Sequence, residues 1–130
     1  MRDHKTLLCW QLARDFTLQI HQLTVTKWTP PASAAFEQLR RAAISIRLNI
    51  AEGYALGSPG YFARHLNIAY GSAVEAAEVL EFCQEAALLG AEEAGALIGV
   101  ATRIQALVLR LRQRYSNPRT ACRPRDPRRS

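Results

Sequence analysis

The sequence predicts an all-α fold, an antiparallel up-down-up-down four-helix bundle. Three observations predict it. Four segments place apolar residues at spacings of three and four, proline or glycine clusters separate them, and the links are short enough to leave consecutive helices as antiparallel neighbours. A chain of 130 residues fits one domain, large enough to bury a continuous core without disulfide or metal staples.

The first helix is predicted over residues 7–26, where Leu8, Leu12, Phe16, Ile20 and Leu23 form one stripe. Trp28-Thr29-Pro30-Pro31 interrupts it, because proline lacks an N–H and disfavours helix at the residue before it. Ser33 offers an N-cap oxygen, and a second helix is predicted from about Ala34 to about Tyr54 with Phe36, Leu39, Ala43, Ile46 and Ile50 inside. Ile44, Ile46, Leu48 and Ile50 also alternate as a strand would, but the helix formers upstream favour helix. Gly57-Ser58-Pro59-Gly60 is a breaker cluster that suits Ser58 as N-cap and Pro59 as first residue of a third helix, predicted from 59 to about 89 with Gly90 as its stop. Its inner face reads Phe62, Leu66, Ala69, Ala73, Ala76, Leu80 and Ala87, beside a ridge of Glu75, Glu78, Glu81 and Glu85. The fourth helix opens at Glu92-Glu93, which suits the positive end of the helix dipole. It continues through Leu97, Ala101, Ile104, Val108, Leu111 and Tyr115 to Asn117-Pro118.

The net charge of +6 is unevenly spread. Residues 1–109 hold nine Lys/Arg against ten Asp/Glu, and residues 110–130 hold eight Arg against Asp126 alone. Residues 116–130 contain three prolines, five arginines and only Ala121 and Cys122 from the apolar set. The expected division is therefore a bundle over 1–115 and a disordered tail over 116–130. Cys9, Cys83 and Cys122 are odd in number and far apart, which indicates neither a disulfide framework nor a zinc knuckle, and Cys9 and Cys83 read as buried thiols. No secretory or membrane-spanning apolar run stands out, so a cytoplasmic protein without a membrane partner is expected.

Two segments carry a family signature. One is Gln38-Leu39-Arg40-Arg41-Ala42-Ala43-Ile44-Ser45-Ile46 running into Asn49-Ile50-Ala51-Glu52-Gly53-Tyr54; the other comprises Tyr61-Phe62, Leu66, Ala69, Gly71-Ser72-Ala73 and Glu75. Together with Trp10, Ala13 and the proline turn, they resemble the bacterial four-helix-bundle proteins first recognised as open reading frames in intervening sequences of 23S ribosomal RNA genes. Accessory proteins of diversity-generating retroelements are related to that family. The resemblance covers residues 7 to about 90; the fourth helix and tail are similar only generically. Two positions depart from the pattern: Ala55-Leu56 stands where a basic residue often follows Asn-Ile-Ala-Glu-Gly, and Thr29-Pro30 replaces the usual Phe-Pro. The resemblance implies a homo-oligomer, a pentameric barrel, and no settled activity; the retroelement accessory proteins work with a reverse transcriptase and nucleic acid.

Candidate sites are few. Arg40, Arg41, Asn49, Glu52, Gly53, Gly71, Ser72 and Glu75 form the family motif, and the expected reading is a polar network that sets helix register, with Arg40, Arg41 or Arg47 satisfying a buried carboxylate. A catalytic role is the alternative, but two carboxylates without a pocket do not make an acid/base pair. Di-iron chemistry would need Glu-x-x-His on facing helices, and His4, His21 and His65 lie scattered. Phosphate-loop, zinc-protease and serine-hydrolase motifs are absent from the sequence, so no enzyme, cofactor or small-molecule substrate is expected. The slim third helix, with Gly71, Ala69, Ala73, Ala76 and Ala77, suits close helix approach in the core or at a subunit contact. Tyr61, Ile68, Tyr70, Phe82, Leu88 and Leu89 fall off the inner stripes and would need cover from another subunit.

Arg110, Arg112, Arg114, Arg119, Arg123, Arg125, Arg128 and Arg129 read either as a solvated, solubilising tail or as a nonspecific contact to phosphate backbones. Five copies in a ring would multiply the latter. Tyr115 is the one aromatic residue near them for stacking on a base. The expected function is a non-enzymatic oligomeric scaffold that binds RNA, DNA or a nucleic-acid enzyme; the alternative is a protein–protein adaptor with no nucleic-acid role.

Overall fold

The computed structural model describes residues 3–116, and within them four helices lie antiparallel to their neighbours. They are α1 (Leu8–Thr26), α2 (Ser33–Ala55), α3 (Pro59–Glu85) and α4 (Ala91–Ser116), with short 3-10 turns at His4–Thr6 and Pro30–Ala32. No strand occurs among the described residues, so the alternation from Ile44 to Ile50 is helical: Ile46 and Ile50 face inward, and Ile44 and Leu48 face out. Ser116, expected as the first residue of the tail, closes α4 and donates to the Arg112 carbonyl at 2.6 Å; the rest of the expected tail, with Cys122 and five of the candidate arginines, lies outside the described residues.

Cross-helix contacts define the register. Thr17 donates to the Ala43 carbonyl at 3.3 Å between α1 and α2. The Ser45 and Ser72 hydroxyls meet at 2.8 Å between α2 and α3. Gln105 donates to the Ala73 carbonyl at 3.2 Å between α3 and α4, and Lys27 pairs with Glu93 at 3.6 Å to link α1 back to α4. Phe16, Phe36, Phe62, Ile20, Leu39, Ile46, Leu66, Leu80 and Ile104 are fully buried, each burial contributing about 1.5–3 kcal/mol of transfer free energy.

Two boundaries differ from expectation. The inner face of α1 is Cys9, Trp10, Ala13, Phe16, Ile20 and Thr24, whereas Leu8 is 47% exposed. Thr24 tolerates burial because its hydroxyl donates to the Ile20 carbonyl at 2.7 Å. α3 ends at Glu85, before Gly90: Ala87 takes the left-handed conformation at φ 58°. Leu88 N–H then donates to the Cys83 carbonyl at 2.8 Å, and Ala87 N–H to the Gln84 carbonyl at 3.1 Å, the paired bonds of a Schellman stop. Ser58 stands at the N-cap of α3 without a side-chain cap bond, and Pro59 opens that helix; Ala32, not Ser33, takes the N-cap position of α2, directly after the 3-10 turn that Pro30 and Pro31 open. α4 is the one described helix long and apolar enough by composition to cross a membrane. Here it presents Ala94, Leu97, Ala101, Ile104 and Val108 to the core, with Arg103 midway along it.

Candidate functional site

The family motif residues converge only in part. α2 and α3 meet along a polar seam in which Asn49 Nδ2 donates to the Ser45 carbonyl at 2.8 Å and Asn49 Oδ1 lies 2.9 Å from His65 Nδ1. Since the Asn49 amide nitrogen faces a carbonyl, its oxygen is the acceptor toward His65, which places the proton on Nδ1. Ser72 is buried against Ser45. Gln38 donates to the Glu75 carboxylate at the upper end of the seam. Gly53 closes the lower end, where a Cβ would stand 2.6 Å from His65 Cβ. Gln38 and Ser45, which lie in the signature segment, and His65, which lies outside it, are thus members of the seam; their positions opposite Glu75, Ser72 and Asn49 follow once α2 and α3 are set antiparallel.

The remaining motif residues do other things. Arg41 pairs with Glu37 one turn away at 2.9 Å on the outer face of α2. Arg40 is half-buried and Glu52 is exposed, and neither makes a polar contact among the described residues. Arg47 lies over the Trp10 ring at 5.4 Å, with Arg14 over the same ring at 5.5 Å. Among the described residues, Arg40, Arg41 and Arg47 therefore reach neither Glu52 nor Glu75: Gln38 donates to Glu75, and Glu52 is exposed to solvent. Gly71 faces outward with nothing within 4 Å of its added Cβ, so Ala69, Ala73 and Ala76 make the close core contact and Gly71 does not. Of the residues expected to need outside cover, Leu89 is buried and Tyr70 and Leu88 are half-buried. Ile44, Leu48, Tyr61, Ile68 and Phe82 are exposed on α2 and α3.

The arginines near the end of α4 differ in their surroundings. Arg112 lies over the Tyr70 ring at 5.4 Å and donates to Asn67 Oδ1. Arg110 and Arg114 line a cleft of about 240 Å³ with Leu7, Leu8, Cys9, Leu107 and Leu111. Burial at the base of this region pushes the Cys9 thiol up to about 11, and burial also raises Cys83. Tyr115 stacks on Phe62 at 4.7 Å and 5°, so its ring is used inside the bundle and is not presented to a base. Arg119, Arg123, Arg125, Arg128 and Arg129 lie outside the described residues. Among the described residues, no three His, Cys, Asp or Glu side chains are grouped to hold a metal ion.

The bundle is polarised along its axis. The half containing the start of α1, the α2–α3 turn and the end of α4 (residues 3–17, 44–73 and 105–116) carries seven Lys/Arg against three Asp/Glu. The other half (18–43 and 74–104) carries four against seven. The near-neutral total over the body conceals this, and the signal to find it was available: folding the four predicted helices up and down, then counting charge by level, brings Lys5, Arg47 and Arg64 to the same end as Arg110, Arg112 and Arg114.

A family model for the 23S rRNA-intervening sequence protein matches residues 5–110. The chain belongs to that family. A crystal structure of a protein with unknown function from the S23 ribosomal protein family of Bacteroides thetaiotaomicron is similar, with a TM-score of 0.73 and 22% identity, covering 82% of this chain and 99% of that one. At that identity the likeness speaks for the four-helix fold. No curated protein matches the chain. The family match and the polar seam coincide, since the signature residues on α2 and α3 lie within the matched span.

Proposed function

We propose that the protein is a non-enzymatic, cytoplasmic, homo-oligomeric scaffold, a pentamer, that binds nucleic acid or a nucleic-acid enzyme electrostatically through one end of each bundle. The observation that carries this reading is the axial charge separation. The basic half is also the half at which the chain leaves α4, so the tail arginines continue from it. Phosphate backbones release counterions on meeting such a surface, which supplies affinity without sequence preference. The oligomeric part is supported by the exposed Ile44, Leu48, Ile68 and Phe82 on the outer face of α2 and α3, apolar surface of the kind that subunit contacts cover. The number five rests on the family resemblance. In a ring with parallel bundles the basic ends would share one rim, where multiple weak phosphate contacts act together.

The test compares full-length protein with residues 1–116 in light scattering and RNA-binding titrations at low and raised salt. The expected result is an assembly of unchanged subunit number, with binding that weakens on truncation and falls steeply with salt. A monomeric mass for the full chain overturns the ring. Absence of binding at low salt overturns the nucleic-acid role and favours a protein–protein adaptor, for which the acidic half with Glu78, Glu81, Glu85 and Glu92 offers the contact surface.

A further inference from the structure

Tyr61 and Arg64, one turn apart on α3, line a single shallow cleft of about 280 Å³ with Ser58 and Gly60. Tyr61 is 54% exposed. The neighbouring aromatic rings are already engaged: Tyr54 packs edge-on against Phe62 at 5.3 Å, and Phe62 stacks on Tyr115 at 4.7 Å. Tyr61 has no ring partner and Arg64 no ion pair or hydrogen bond among the described residues. Both sit in the basic half, on the turn level with the end of α4.

We propose that this cleft takes one nucleotide of a single-stranded nucleic acid, with its base stacked on the Tyr61 ring and the adjoining phosphate on Arg64. The proposal rests on the nucleic-acid reading above and adds to it a strand preference and a contact on the folded body. An exposed aromatic face can receive an unpaired base, whereas the bases of a duplex are already stacked on one another. The cleft, about 280 Å³ and open to solvent, is a local platform beside one ring and one guanidinium, a footprint of about one nucleotide. Arg64 and Tyr61 divide the work as phosphate and base contacts usually do, one sequence-independent and salt-sensitive, the other weakly dependent on base identity. Glu52, exposed in the last turns of α2, is the acidic side chain of this turn region, and it is outnumbered by Arg47, Arg64, Arg112 and Arg114.

The experiment measures anisotropy of labelled oligouridylate, oligothymidylate and a short duplex with the full-length protein, alongside light scattering. Wild type should bind both single strands more tightly than the duplex. Tyr61→Ala should weaken single-strand binding by roughly five- to a hundredfold, the range for one base–aromatic stack, and leave duplex binding unchanged. Tyr61→Phe keeps the ring and should retain affinity. Arg64→Gln should lower the salt slope by about 0.7, the value for one phosphate contact on a single strand. Single-strand binding by Tyr61→Ala equal to wild type overturns the proposal while leaving the wider nucleic-acid reading standing. Loss of the oligomer in Tyr61→Ala places Tyr61 in a subunit contact and also overturns it. Wild type that binds no strand at low salt overturns both.

Discussion

Gly53 and His65 approach so closely that a Cβ on Gly53 would stand 2.6 Å from the Cβ of His65 and 3.4 Å from the Phe62 Cα. The obstacle is the root of a side chain and the α3 backbone, which cannot swing aside as a flexible tip would. Alanine in a helix interior gains about 0.5–1 kcal/mol over glycine, but forcing α2 and α3 apart costs about 1–3 kcal/mol and pulls Asn49 from His65. Gly53→Ala should therefore destabilise by about 1–2 kcal/mol net in chemical denaturation. Gly71→Ala serves as the contrast: its Cβ meets open space, so the same substitution should stabilise by about 0.5–1 kcal/mol. Equal effects at the two glycines would show that the helices are not locked at Gly53.

The stop of α3 holds an alanine where glycine is the usual residue, with Ala87 at φ 58°. An L-residue in that region costs about 1–2 kcal/mol, and glycine relieves the cost while losing about 0.5–1 kcal/mol to its freer unfolded chain. Ala87→Gly should raise stability by about 0.5–1 kcal/mol. A lowered denaturation midpoint would mean that the Leu88-to-Cys83 turn does not form as described.

Ile46 stands at the centre of α2 with no exposed surface, as do Phe16, Leu66 and Ile104 on the other three helices. Truncating any one to alanine removes transfer free energy and leaves a cavity, for a loss of about 2–5 kcal/mol. Denaturation of Ile46→Ala with a loss below about 1 kcal/mol would indicate that α2 faces elsewhere.

Burial holds the Cys9 thiol protonated up to about 11, against 9.0 ordinarily. Between these values the unfolded chain releases a proton that the native chain retains, so νU is smaller than νN and stability falls as pH rises. Below pH 9 the effect is absent. Thermal unfolding of wild type and Cys9→Ala should therefore converge as pH rises from 9 to 11, the wild type losing up to about 1.4 kcal/mol per pH unit relative to the variant. A constant difference across that window would mean that Cys9 is solvated.

The α2–α3 seam is legible in the sequence only in part. Asn49, Ser72 and Glu75 were legible as motif residues, but Gln38 and His65 were not recognisable as their partners. A hydrogen bond between α2 and α3 depends on the axial offset of two helices, which periodicity within either helix does not encode. Arg41 pairs with Glu37, which lies one turn away on its own helix and requires no tertiary arrangement. A stripe in α1 can be drawn through Leu8 and Leu12 or through Cys9, Ala13, Phe16 and Ile20, and the choice between them depends on where α2 and α4 lie.

The sequence by itself determined the helical class, the breaks at Pro30-Pro31 and Gly57–Gly60, the presence of a third break before α4, and most of the core, because these follow from local propensity and a 3.6-residue period; the exact end of α3 at Glu85 it did not. It also determined that the excess positive charge gathers toward the C-terminus. Only the tertiary structure decided that the folded body is itself charge-separated, that Gly53 and not Gly71 is the point of close approach, and that Tyr115 is consumed by Phe62 while Tyr61 is left open. Each of these depends on which residues of different helices share a level along the bundle axis, a property set by packing depth and helix offset between segments distant in sequence.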